Sequence, residues 1–313
     1  MFEIIKSSTK IDFASKFTLC FIVSAILVVT SLALTLTRMN YGVDFSGGAE
    51  IQAKFDSKVD LGSLRSSLEK SGFKSVSVQT IGDVDDHELL IRVPGSEANL
   101  NQISQQMSET LTSKFSSDGV QIRKVDIVGP KAGAQLRLSG FQAMGWAMLA
   151  IMIYVGLRFD FKYAPGAIVA LIHDVSIVLG IYTILGVEFT LQTVAALLAV
   201  IGYSVNDTVI VYDRVREHEE KFPGVSMRDH INLATNETLS RTILTSGTTL
   251  FVSVAMLIFG GAAIADFFLA MTIGIVVGTY SSIFIAAPVT LTLEKIKKKK
   301  KNVGSMPIEA SSK

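Results

Sequence analysis

The apolar residues of this chain are gathered into blocks of about twenty, and that distribution decides most of what it can fold into. Hydrophobic residues fill 49% of its 313 positions. A soluble domain of that length would spread them at helical or strand period instead. Six membrane spans are predicted, at 17–37, 137–157, 166–186, 190–211, 242–261 and 266–291. The fold class is therefore an α-helical polytopic membrane protein with one soluble domain between its first two spans.

The formal net charge of +1 hides a sided distribution. Lys6, Lys10 and Lys16 precede the first span, and Arg158 and Lys162 lie between the second and third. Arg214, Arg216, Lys221, Arg228 and Arg241 fall between the fourth and fifth, and Lys295 to Lys301 follow the sixth. Six crossings put all these segments on one side, which the positive-inside rule makes cytoplasmic, with both termini there. The plan is a cytoplasmic N-terminus 1–16, the anchor 17–37, an external domain 38–131, and a bundle 137–291 with a cytoplasmic loop 212–241, in which Arg228–Thr238 reads as a surface helix leading into Arg241. A basic cytoplasmic tail, 292–313, completes it.

The first apolar run starts late, is long for a signal peptide and shows no small-residue cleavage site, so it reads as a retained anchor. The lone Cys20 inside it excludes an intrachain disulfide and reads as a small hydrophobe. The lysine run reads as a topology signal that touches anionic lipid.

The external segment has a regular pattern. Glu50–Phe55, Ser75–Ile81, Glu88–Val93 and Val120–Val128 read as strands, and Leu61–Ser71 and Leu100–Phe115 as amphipathic helices. The order β-α-β-β-α-β is that of a ferredoxin-like unit, with one sheet face covered by helices and the other free for a partner. His87 stands among Asp83, Asp85, Asp86 and Glu88 around a Gly82–His87 turn, and reads as a solvated acidic loop rather than a metal site. No GxGxxG, CxxC or HExxH pattern occurs, so no cofactor, metal or catalytic site is expected and the chain does not read as an enzyme. Nothing in it suggests nucleic-acid binding.

The unusual residues lie inside the spans. Asp207 sits in Thr190–Val211, an otherwise apolar or small stretch, where an acid costs about 2.5–3.5 kcal/mol on insertion scales. Gln192, Ala196, Ala199, Tyr203 and the Asn206–Asp207 pair read as one polar helical face. The fifth span opens with Arg241, followed by Thr242, Thr245, Ser246, Thr249 and Ser253, and the third carries His173–Asp174. The sixth contains Gly274 and Gly278 at GxxxG spacing, then Ser281 and Ser282, a close-packing face. Asp174, Asp207 and Arg241 all enter from the cytoplasmic half. Two readings stay open for them: a static ion pair that fixes helix packing, or ionisable groups that couple transport to a proton.

These residues bring a family into view. Tyr41-Gly-Val-Asp44-Phe-Ser-Gly47-Gly48, Val128-Gly-Pro130, Ala170-Leu-Ile-His173-Asp174 and Ile201-Gly-Tyr-Ser-Val-Asn206-Asp207-Thr resemble the SecD/SecF family on its SecF side. So do Ser240-Arg241-Thr-Ile-Leu-Thr-Ser246-Gly-Thr-Thr and Gly278-Thr-Tyr-Ser281-Ser282. The family is related to the RND proton-driven pumps.

The resemblance implies a protein translocase subunit of the bacterial inner membrane. Such a subunit forms a heterodimer with SecD and works beside the SecYEG channel, with YajC as a further partner. It pulls preproteins outward on the proton-motive force after SecA-driven translocation. It also implies Asp207 and Arg241 as proton-pathway residues with Asp174 beside them, and the proton as the coupling ion. Tyr203, Asn206, His173, Thr245 and Ser246 would support that pathway. Asp44, Gly47 and Gly48 would form a turn or hinge between anchor and domain, with Asp44 bonding backbone there. The alternatives are one half of an RND-type small-molecule exporter, or a passive scaffold for the translocon.

Overall fold

The structure is a computed structural model describing residues 10–73, 76–81, 87–94, 99–115 and 119–304, with the side chains of 262 and 297–304 left aside. Six of its helices are long and apolar enough to cross a membrane. They are α1 (Phe17–Arg38), α5 (Pro130–Arg158), α6 (Ala164–Leu185), α7 (Leu191–Lys221), α8 (Met227–Phe259) and a last composite rod. That rod runs from α9 (Ala262–Ser281) through a π-helical turn at Ser282–Ala286 into α10 (Ala287–Gly304). Helix starts follow capping chemistry. Pro130 opens α5, Thr190 caps α7 in a capping box with Thr193, and Ser226 caps α8 by accepting from the Asp229 N–H.

The segment 212–241, expected as a connection with a surface helix over Arg228–Thr238 leading into Arg241, is a helical hairpin: that helix is present as the first part of α8, and α7 also runs on past its apolar stretch. α7 continues to Lys221 and α8 starts at Met227, on either side of a short turn holding Pro223 and Gly224, the latter at φ +105°. Beyond the apolar stretch α7 is held by charge pairs one turn apart, Arg216–Glu220 and Glu217–Lys221, which sustain a helix in water. Arg214 ties it to α8 through Glu237.

α6 is the central helix. In its most apolar window 56% of the residues are buried, against 11% for α1 and 17% for α8. Glycines make that position available. A Cβ on Gly166 would overlap the Tyr212 hydroxyl, and one on Gly180 would overlap Ser31 of α1. α9 approaches α7 by the same means, with Gly274 against Val200 and Gly278 against Ser204.

Between α1 and α5 stands the external domain. A single-turn helix, α2 (Val43–Ser46), leads into β1 (Gly48–Lys54), α3 (Leu61–Lys70), β2 (Ser77–Ile81), β3 (Glu88–Val93), α4 (Leu100–Lys114) and β4 (Gln121–Val128). The strands form an antiparallel sheet in the order β2-β3-β1-β4, the ferredoxin-like arrangement. Register puts Ala49, Ile51 and Ala53 of β1 level with Val93, Ile91 and Leu89 of β3, all buried with Leu64, Leu68, Met107 and Leu111. Glu50, Gln52 and Lys54 alternate onto the open face. Most of the expected acidic turn, residues 82–86, lies outside the described residues; His87 adopts φ 53° and its carbonyl accepts from the Phe55 N–H at 3.0 Å.

The domain is fastened to the bundle. The Phe189 N–H donates to Asn40 O at 2.8 Å and the Gly42 N–H to Phe189 O at 2.9 Å, tying the end of α1 to the α6–α7 loop. Phe189 also packs on Phe45, with ring centroids 5.2 Å apart. Arg92 of β3 bonds Glu50 of β1 at 2.6 Å and pairs with Glu188 of that same loop.

Candidate functional site

Two buried carboxylates sit on adjacent helices in the middle of the bundle, and their surroundings differ. Asp174 on α6 is 1% exposed and saturated. His173 Nδ1 lies 2.9 Å from Oδ1, while the Ser204 and Ser281 hydroxyls donate to Oδ2 at 2.5 and 2.9 Å. The close approach of α9 to α7 at Gly278 is what lets Ser204 and Ser281 reach the same oxygen from two helices. His173 is buried, stacks on Tyr280 with centroids 6.0 Å apart, and leaves Nε2 without a partner.

Asp207 on α7 is equally buried but half-satisfied. The Ser246 hydroxyl of α8 donates to Oδ2 at 3.1 Å, and Thr279 Oγ1 of α9 lies 2.8 Å from Ser246 Oγ. Oδ1 has no hydrogen-bond partner. One turn away along the same two helices, the Tyr203 hydroxyl and Thr242 Oγ1 are also buried and unpartnered. Buried polar atoms without partners are uncommon, and here three fall within about one turn of the Asp207–Ser246 contact on α7 and α8. Such a setting suits a group that exchanges a proton or rearranges its partners.

Arg241 does not pair with Asp207 in this structure. It lies on the exposed side of α8 and forms no ion pair with the acid. The reason is helical phase. Ser246 occupies the buried side facing Asp207, and five residues on a 3.6-residue helix place Arg241 roughly 140° away. The Asn206–Asp207 pair splits in the same way: Asp207 is buried with Ser204 and Thr208, whereas Asn206 is exposed. Thr245 lies between these sides and donates to Arg241 O at 3.0 Å.

Sequence reasoning named Ser204 and Thr279 only within motifs and gave neither a role at the acids. A serine three residues before Asp207 was the available signal for the first; the contact of Thr279 with Ser246 appears only when α9 is placed. The junction residues hold a different geometry. Asp44 of α2 accepts from the Leu191 N–H at 2.9 Å, so it caps α7 from another element. Gly47 and Gly48 take φ +74° and +136°, and their Cβ positions would fall 2.5 Å from Pro130 Cα and 2.9 Å from Val93 O. The pair is a packed turn rather than an open joint.

The family described as the C-terminal part of the protein export membrane proteins SecD/SecF matches residues 107–296, and the SecD/SecF GG motif matches residues 33–59. The chain belongs to the SecD/SecF family. It is 40% identical over 301 residues to the protein translocase subunit SecF of Calditerrivibrio nitroreducens, covering 95% of this chain and 98% of that one. It is 42% identical over 263 residues to the SecF of Rickettsia rickettsii, covering 84% of each. Among solved structures it matches SecDF of Thermus thermophilus, described as a translocon-associated membrane protein, at 31% identity and a TM-score of 0.83. That match covers 92% of this chain, which spans 39% of the longer SecDF chain. A super-membrane-facing form of SecDF matches with a TM-score of 0.70. The family makes this chain an accessory component of the Sec pathway that spans the membrane several times.

Proposed function

We propose that the chain is the SecF-type half of a proton-driven preprotein translocase in the bacterial cytoplasmic membrane, with both termini in the cytoplasm. SecD is its partner, SecYEG the channel it serves and YajC a further associate. Two features support a partner. The match to SecDF leaves the greater part of that longer chain without a counterpart here. In addition, Arg241 and Thr248 of α8 and Asn206 of α7 are exposed within helices long enough to span, and a charged side chain there calls for a partner other than hydrocarbon.

The observation that carries the proton reading is Asp207 Oδ1, buried without a donor while Asp174 is saturated. Ionised, Asp207 needs a second donor in place; protonated, it does not. Arg241 supplies the charge if α8 rotates or a partner directs it inward, and withdraws it otherwise. A proton falling through about 150 mV releases roughly 3–4 kcal/mol at about 2.3 per 100 mV. That biases a two-state bundle a few-hundred-fold per proton, and reversing it from 1:99 to 99:1 takes about 10⁴-fold, so more than one proton per stroke would be needed for a full reversal. The external domain, fastened at the α6–α7 loop, is the lever that acts on the emerging preprotein.

The test is Asp207→Asn in inner-membrane vesicles carrying SecD and SecYEG, with proton-motive-force-dependent preprotein translocation as the readout. Loss of the force-dependent component with normal assembly is expected. Full stimulation by the variant removes Asp207 from coupling and leaves a scaffold.

A further inference from the structure

At the end of the bundle where α1 and α8 begin, those two helices and α10 enclose a crevice of about 660 Å³. That volume lies within the roughly 300–1,000 Å³ typical of ligand clefts. It is separate from the Asp174–Asp207 site. Its walls are mainly apolar, with Phe17, Phe21 and Ile22 along α1 and Leu293 on α10, among the hydroxyls of Ser15, Thr18 and Thr292. Phe21, Ile22 and Leu293 are 41%, 52% and 37% exposed, so apolar surface flanks its opening. Two cations from different helices stand at its rim, Arg228 of the first turn of α8 and Lys295 of α10. The nearest carboxylate to Arg228 is Asp12, at 3.8 Å, and it is itself bonded by the Ser15 N–H at 3.1 Å. A single long contact leaves most of the guanidinium donors unused.

We infer that this crevice holds one phospholipid with an anionic head group, its phosphate on Arg228 and Lys295 and an acyl chain along Phe17, Phe21 and Leu293. Three observations select a lipid. Exposed Phe21, Ile22 and Leu293 flank the opening, the apolar wall runs along a helix long enough to span, and Arg228 and Lys295 stand together at one rim. Basic recesses between spanning helices are the usual place for anionic head groups. The bound lipid would hold the N-terminal strap against α8, where Asn236 already receives the Ile11 N–H and donates to Ile11 O, both at 2.8 Å.

The probe is palmitoyl-oleoyl phosphatidylglycerol against the matching phosphatidylcholine, with native mass spectrometry of the full chain released from mixed nanodiscs. One retained phosphatidylglycerol is expected, with phosphatidylcholine lost. The double change Arg228→Ala with Lys295→Ala weakens retention roughly 30-fold, at on the order of 1 kcal/mol per surface cation. Thr18→Trp, which fills the crevice without altering charge, abolishes it. Equal retention of both lipids overturns the proposal, as does phosphatidylglycerol retention that survives Thr18→Trp. A photo-crosslinker at Phe21 that captures protein in place of lipid in native membranes overturns it too.

Discussion

Replacing Glu188 tests how the external domain is held to the bundle. Arg92, Glu50 and Glu188 form a charge triad whose side chains are 16%, 22% and 12% exposed. Exposed pairs contribute about 0.2–1 kcal/mol, and breaking a buried pair costs about 3–5 kcal/mol. A triad mostly shielded from water falls between these, so Glu188→Ala should weaken docking by about 2 kcal/mol. At 1.4 kcal/mol per tenfold, the docked-to-undocked ratio drops roughly 30-fold. The tether at Asn40, Gly42 and Phe189 stays intact, so the change appears as a broader distribution of positions rather than release. Spin labels at Gln121 and Leu185, both exposed, would read it by electron–electron distance measurement after Cys20 is replaced. A double-mutant cycle with Arg92→Ala isolates the pair from each residue's other contacts. A coupling below about 0.3 kcal/mol, within the usual error of additivity, would refute the latch, as would an unchanged distance distribution in Glu188→Ala.

The Gly278 contact gives a second prediction. Gly278→Leu, whose first carbon would lie 2.9 Å from Ser204 Cβ, should separate α9 from α7 and strip the serines from Asp174. The expected loss is about 1–3 kcal/mol in thermal stability, with Gly278→Ala milder; equal melting temperatures would show that the helices simply slide. Asp44→Ala should cost about 1 kcal/mol at the start of α7, seen as roughly fivefold faster amide exchange at Leu191, while Asp44→Asn keeps most of the cap. Unaltered exchange in Asp44→Ala would mean that Thr190 suffices. In the external domain, Asp60 accepts from the Ser63 N–H at 2.8 Å, and the Ser63 backbone and side-chain hydrogen bonds hold its carboxyl below the usual 3.8. A depressed folded value means that this cap stabilises the domain above pH 3.8 and is lost as pH falls through the lower folded value. Denaturant titrations of the domain from pH 5 to about pH 3 should therefore show less acid sensitivity in Asp60→Ala than in wild type. Equal slopes would remove Asp60 from the acid response.

Blocks of hydropathy were legible without ambiguity because a bilayer demands one uninterrupted apolar segment per crossing. The external strands were legible too: Glu88–Val93 agrees at both ends, and the others differ by one or two residues. The surface helix over Arg228–Thr238 was legible, but the continuation of α7 through 212–221 was not, because a water-exposed helix carries no apolar period and its support comes from Arg216–Glu220 and Glu217–Lys221 pairs. The polar face on α7 was drawn too broadly. Adjacent residues 206 and 207 point 100° apart, and only the positions of α8 and α9 say which of them is enclosed.

By itself the sequence determined six crossings, a ferredoxin-like insert, a family and the identity of the two acids, since each is written in local pattern or motif. Tertiary structure alone decided that the acids differ: Asp174 is saturated by Ser204, Ser281 and His173, while Asp207 keeps one bare oxygen beside Ser246. It also turned Arg241 away and tied Arg92 to Glu188 across 96 positions of chain. Hydrogen bonds and ion pairs act over about 3–4 Å, and which groups come that close is settled only when glycines let particular helices touch.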